Sequence, residues 1–248
     1  MATALWAAGP SAPAAAQQTA LFQPPPGCTT YLTVQMRGCL VSNHFRCTAD
    51  APGLHRLALA DGGGLFAVNL LDAEFQWLGN FFPQIGRSET LVQPATDPAS
   101  FTTLIRSGRD DYSFEMRGSD GTLESFTGYD ALTGSSVVID GETLQSTEFA
   151  YRRTDGTTGD ATDISGQQFV SARFGLFFSG VDRTRGPDGT VTTSNLAPRR
   201  FSEPGEPGFQ AAEPIFDCNT VLSAAPLPQL PITPAAYLPR RADQGESR

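Results

Sequence analysis

Three of the four cysteines and one of the two histidines fall in one stretch, CTTYLTVQMRGCLVSNHFRC, at residues 28–47. Thiols and an imidazole this close raise three chemistries: a metal site, a redox dithiol, or structural cross-links. The spacing favours cross-links. Cys28, Cys39, His44 and Cys47 include no C-x-x-C pair, the spacing that structural zinc sites and redox dithiols use. The histidines, His44 and His55, are too few for a three-histidine metal site, and neither H-E-x-x-H nor G-x-S-x-G occurs. Asp110, Asp111, Glu115 and Glu124 would offer a glycosidase-like carboxylate pair if a hairpin brought Glu115 near Glu124. Asp155, Asp160 and Asp163 lie in an acidic, glycine-rich run without EF-hand spacing. All 17 basic residues are arginine, which removes lysine Schiff bases, a P-loop lysine and a pyridoxal phosphate linkage from this chain's chemistry. A net charge of −9 lacks the clustered positive surface that nucleic acid requires. The expectation is a protein without catalytic residues, metal, cofactor or nucleic-acid partner; a hydrolase using His44 or His55 is the catalytic alternative.

Four cysteines in an exported chain pair as two disulfides. If Arg37-Gly38 is a two-residue turn, Cys28 lies opposite Cys47, Leu32 opposite Asn43 and Val34 opposite Val41. Leu32, Val34, Met36, Val41 and Phe45 then share an apolar face, with His44 on the polar one. A single strand with a bulge near Gly38 is the other way to keep that segregation. The hairpin predicts Cys28–Cys47 and leaves Cys39 to reach Cys218.

The elements that must position these residues read as β. Asp-Gly recurs at 61–62, 120–121, 140–141, 155–156 and 188–189, each between strand-like runs. Strands are expected near 54–60, 65–71, 74–78, 88–92, 110–117, 122–129, 135–139, 143–153, 167–178 and 190–194. Period-two alternation is clear in Tyr112, Phe114 and Met116, and in Val170, Ala172, Phe174, Leu176 and Phe178. One helix is expected in DPASFTTLIRSG, capped by Asp97, with Phe101, Leu104 and Ile105 on one face and Gly108 closing it. The fold class is therefore mainly β: an antiparallel meander of nine to eleven strands curled into a half-barrel or barrel, with one short helix packed on it. A two-sheet sandwich is the alternative.

Residues 1–16 read as the remnant of a secretory signal, since Ala14-Ala15-Ala16 before Gln17 fits the A-x-A cleavage rule. A linker at 17–27, a β domain at 28–194, an extended arm at 195–225 tied by Cys218, and a proline-rich disordered tail at 226–248 complete the expected layout. No run of 18 apolar residues predicts a membrane-spanning helix.

The aromatic residues suggest binding. AEFQWLGNFFPQIG crowds Phe75, Trp77, Phe81 and Phe82, and Phe174 and Phe178 lie on a strand that is apolar on both faces. Such a strand needs cover from a helix, a facing wall or a ligand. Ordinary core with Phe101 and Leu104 as a lid is one reading; an apolar ligand cavity lined by Phe75, Trp77, Phe81, Phe82, Phe174 and Phe178 is the other. A long meander with Asp-Gly hairpins and one helix resembles, over residues 28–194, the half-barrel carriers of the bacterial lipoprotein-carrier type. GCLVSNHFRC and FVSARFGLFFSG look like uncharacterised exported proteins of GC-rich bacteria. The resemblance implies a periplasmic or secreted, non-catalytic protein that binds a lipid or other apolar molecule or assists envelope biogenesis. The four cysteines depart from the carrier pattern, and a scaffold or interaction module of the envelope is the competing expectation.

Overall fold

A computed structural model describes residues 21–218. The expected signal remnant, the first four residues of the linker, the end of the arm and the tail lie outside them. The order runs β1 (Cys28–Met36), β2 (Leu40–Cys47), β3 (His55–Asp61), β4 (Gly64–Leu71), β5 (Trp77–Phe82) and β6 (Arg87–Leu91). The helix α1 (Phe101–Ser107) follows, then β7 (Arg109–Gly118), β8 (Leu123–Ile139) and β9 (Glu142–Asp155). The last strands are β10 (Ala161–Ser171), β11 (Leu176–Arg185), β12 (Val191–Asn195) and β13 (Pro198–Ser202). All thirteen strands join one antiparallel sheet in sequence order, except that β13 pairs with β1. The meander is thus the expected class with more strands, and no two-sheet sandwich forms.

Each Asp-Gly pair sits in a turn between consecutive strands. At 140–141 the loop is two residues long, since Ile139 faces Glu142, and both turn residues are left-handed (φ 49° and 82°). That is the primed turn whose twist matches the flanking strands.

The sheet curls because its two edge strands, β12 and β13, are neighbours in the chain. Leu196 and Ala197, which link them, also stitch the ends together. Leu196 N–H donates to Gly180 O of β11 (2.8 Å), and Arg37 N–H donates to Ala197 O (2.9 Å). No β12–β13 ladder forms, so the result is a half-barrel rather than a closed one. Its core joins Leu32, Val34, Met36 and Leu40 of the first hairpin to Leu144, Leu176, Phe178 and Leu196. Fully burying a Leu or Phe of this kind contributes about 1.5–3 kcal/mol.

Three expectations are corrected. First, the β1–β2 turn holds three residues, not two: Met36 faces Leu40, and Gly38 and Cys39 are both left-handed (φ 69° and 59°). Arg is a poor first residue for a two-residue primed turn, and a bulge at Tyr31 absorbs the extra residue. Cys28 still faces Cys47, but Leu32 now faces His44, and Val34 faces Ser42. Second, 167–178 is not one strand. Gly175 N–H donates to Ser171 O, Phe174 N–H donates to Ser171 Oγ, and a tight turn sets Phe169 opposite Phe178. Third, β13 lies inside the expected arm, and the arm proper begins at Glu203.

The arm, residues 203–218, joins no strand ladder; Phe22 N–H donates to Gln210 O and Cys39 N–H to Phe216 O, and side chains satisfy much of the rest of its backbone. Gln35 donates to Glu213 O and accepts from Ile215 N–H (both 3.0 Å), Asn43 donates to Ala211 O (2.9 Å), and Thr33 Oγ1 accepts from Gln210 N–H (2.8 Å). All three are buried, and the arm explains why polar residues occupy that face. Disulfides Cys28–Cys47 and Cys39–Cys218 close the hairpin and pin the arm.

Candidate functional site

The loop between β4 and β5 prepares the site. Asp72 Oδ1 accepts from the N–H groups of Glu74 and Gln76 (2.9 and 3.0 Å), a tight turn that leaves Phe75 left-handed (φ 67°). Glu74 then receives the start of α1: its carboxylate accepts from Ser100 Oγ (2.9 Å), Thr102 N–H (2.8 Å) and Thr102 Oγ1 (2.7 Å). Gln76 Oε1 accepts from Ala99 N–H, and Asp110 Oδ2 from Ser100 N–H (2.7 Å). The helix cap is Ser100, not the expected Asp97, because Asp97 is engaged in a two-way backbone bridge with Ser113. Leu104 is buried as expected, while Ile105 is 40% exposed.

Between this moored helix and strands β7–β11 lies a cleft, open on one side, with about 80 Å³ enclosed. Trp77, Tyr112, Phe114 and Tyr151 form one wall, with Trp77 edge-on to Phe114 at 5.6 Å and to Tyr151 at 6.3 Å. Phe75, Phe101 and Phe177 form the other, with ring centroids 5.0 Å (Phe75–Phe177) and 5.7 Å (Phe101–Phe177) apart. Phe149 and Gln168 line the rest. Tyr151 sits over Gly128, where an added Cβ would stand 2.4 Å from the Tyr151 Cβ. Only glycine lets the ring lie that close to β8.

Acids share this aromatic space. Asp110 and Asp130 are direct cross-strand partners, and Phe149 is opposite Asp130 on the next strand. Asp110 is held by Ser100; the half-buried Asp130 carboxyl has no hydrogen-bond partner among the described residues. Burial, and then the charge of Asp110, push Asp130 up to about 7. Burial likewise raises Asp110, against the pull of the Ser100 N–H. Burial raises Asp182 on β11 to about 6, and its charge reaches the Tyr151 hydroxyl. Asp182 Oδ1, Thr184 Oγ1 and Ser194 Oγ are buried without hydrogen-bond partners. Burial opposes Glu74 too, but hydrogen bonds from Thr102 and Ser100 outweigh it and hold that carboxyl low. Among the described residues no basic side chain lines the cleft.

Of the six aromatic residues expected to form one cavity, Phe75 and Trp77 line the cleft. Phe174 and Phe178 belong to the central core, packed against Phe201 (6.3 and 5.1 Å). Phe81 and Phe82 sit farther along β5, opposite Ser88 and Arg87, with Arg87 over the Phe82 ring. Strand β5 runs away from the cleft after Trp77, which separates them.

The histidines do not lie on a polar face. His44 is 1% exposed between Tyr31 and Phe178, and His55 is 5% exposed beside Phe75. Burial, with the neighbouring His55, lowers His44 to about 3; burial, with Arg46, lowers His55 to about 4. His44 Nε2 meets Ser42 Oγ at 3.4 Å, and among the described residues no carboxylate is hydrogen-bonded to either ring, so they form no triad. Glu115 faces Ser125 and Glu124 faces Met116, on opposite faces of the sheet, so the candidate carboxylate pair does not form. Asp155 caps its own turn, and Asp163 pairs with Arg152. Among the described residues no group of three or more acidic, histidine or cysteine side chains could hold a metal ion. No helix among them is long and apolar enough to cross a membrane. The two disulfides fit an oxidising, non-cytoplasmic compartment. No protein-family profile, curated protein or solved structure matches the chain, so its functional reading rests on the acid-floored aromatic cleft alone.

Proposed function

We propose that this chain is a non-catalytic exported protein, periplasmic or secreted, that binds an apolar or amphipathic small molecule in the cleft beneath α1. The observation that carries the reading is the eight-ring lining of a space that no side chain among the described residues fills. Aromatic walls around a few convergent polar groups are the usual make-up of a small-molecule site. The enclosed 80 Å³ is smaller than the apolar cavity of about 150 Å³ that holds benzene. The cleft therefore takes a small molecule, or the head of a larger one whose body lies in the open part, and not a whole acyl chain.

Native mass spectrometry on protein exported to a periplasm, before and after unfolding, tests this. Extra mass that leaves on unfolding, from a chain carrying both disulfides, supports it. A bare chain that also fails to take up small aromatic or alkyl probes overturns it. A second reading, an interaction or scaffold module of the envelope, draws on β12, which ends the sheet with no strand beyond it and exposes Val191.

A further inference from the structure

We propose that the cleft under α1 receives the ammonium group of an organic cation, a primary or methylated amine carried on an apolar body. This rests on the binding reading above and names the ligand class.

The charge pattern points there first. Glu74, Asp110 and Asp130 reach the cleft, and among the described residues no base lines it to balance them. Glu74 and Asp110 are occupied in holding the start of α1, whereas the Asp130 carboxyl has no partner among the described residues. Behind Tyr151, Asp182 Oδ1 is buried and also without a hydrogen-bond partner. A carboxylate partly shielded from water without a counter-ion costs stability, and a bound cation offsets that cost.

The walls make the same selection. The negative faces of Trp77, Tyr112 and Tyr151 attract a cation held against them, by about 0.5–2 kcal/mol per ring. A neutral apolar ligand gains nothing from Asp130, and an anion is repelled by all the acids. A calcium ion requires six to eight converging oxygen ligands; Glu74 and Asp110 are turned to the start of α1, and among the described residues no group of three or more acidic side chains is placed to hold a metal ion. An ammonium group needs only one carboxylate, ring faces and a phenolic oxygen. Its size matches the enclosed space, and its alkyl body can leave through the open side.

Binding is coupled to protons. Asp130 is opposed by Asp110 of β7, and its charge reaches Tyr112 of β7 and Tyr151 of β9; Glu74 of the β4–β5 loop bears on Asp110, and Asp182 of β11 and Arg153 of β9 bear on Tyr151. The Asp130 proton must leave before the carboxyl can pair with an ammonium ion, so the complex releases protons at neutral pH and tightens as pH rises from about 6 to 8.

The test is isothermal titration of the full chain, both disulfides intact, with n-butylammonium chloride and with n-butanol at matched ionic strength. The ammonium ion is expected to bind at least about tenfold more tightly, and to release protons in buffers of different ionisation enthalpy at pH 7. Asp130→Asn should abolish the preference and the proton release; Glu148→Gln, on an exposed position of β9, should leave both intact. Equal affinity for the two probes would overturn the ammonium assignment while leaving an apolar-binding cleft. Heat from neither probe would overturn both.

Discussion

Asp130→Asn should make this protein more stable at alkaline pH, an unusual outcome for a substitution at a proposed binding site. The folded carboxyl titrates near 7 against an ordinary 3.8, because burial and Asp110 disfavour its charge. A raised carboxyl means that the folded state binds the proton more tightly than the unfolded chain does. Its contribution to stability is therefore fully present at pH 3.8 and below, and is lost as pH rises through 7. A shift of about three units corresponds to about 4 kcal/mol at full value; the partial exposure of Asp130 reduces this to about 2–4 kcal/mol above pH 8. Asparagine keeps the shape and has no charge to bury. Urea unfolding from pH 4.5 to 8.5, followed by far-UV circular dichroism with both disulfides intact, should show parent and variant close together at the acid end. The curves should diverge as pH rises, with the variant the more stable at pH 8.5 and m unchanged. Parallel profiles, or a variant that is less stable at pH 8.5, would refute the claim that an unpartnered carboxyl sits in the cleft. A gain of stability on removal would also be the mark of a residue kept for binding rather than for folding.

Replacing Cys39 and Cys218 together by serine should cost about 3–5 kcal/mol in urea unfolding, because the bond closes a loop spanning 179 residues. His44 and His55 act in the opposite sense to Asp130: both stay neutral in the fold while the unfolded chain protonates near 6.5. Each therefore removes up to about 1.4 kcal/mol per pH unit as pH falls from 6.5 toward 4, and their imidazole NMR signals should not move between pH 8 and 5. Gln35→Ala breaks two hydrogen bonds to the arm and should cost about 1–3 kcal/mol; a glutamate-specific protease should then cut faster at Glu203, Glu206 and Glu213.

The fold class was legible because turns and alternation are local signals. The Asp-Gly pairs marked five hairpins, and Tyr112, Phe114 and Met116 announced β7. What escaped were quantities that change with a shift of one residue. Pairing across Asp120-Gly121 sums to 240, Arg117 with Leu123 and Asp110 with Asp130, through a wider turn in which Gly118 N–H donates to Thr122 O. A two-residue Asp-Gly loop would sum to 241 and set Asp111, not Asp110, opposite Asp130. The acid pair of the cleft was invisible for that reason. A slip of one residue at the three-residue β1–β2 turn likewise set His44 opposite Leu32, in the core rather than on the expected polar face. The aromatic cluster around Trp77 was visible as composition, but its partners Tyr151 and Phe177 lie on strands more than seventy residues away. Only the curl of the sheet brings them together.

The pairing of β13 with β1 sets an order of assembly. A meander can zip strand by strand as the chain emerges, each hairpin using contacts close in sequence. The first hairpin is the exception. Its edge partner, the arm over Thr33, Gln35 and Asn43, and the thiol that meets Cys39 all come from residues 198–218. Until those residues arrive, β1 offers an open edge and a half-covered face, the exposure that promotes association between chains. The first hairpin of the sheet is thus the last to be finished. A chain stopped before residue 198 would retain most of its strands and lack what shields β1 from other molecules.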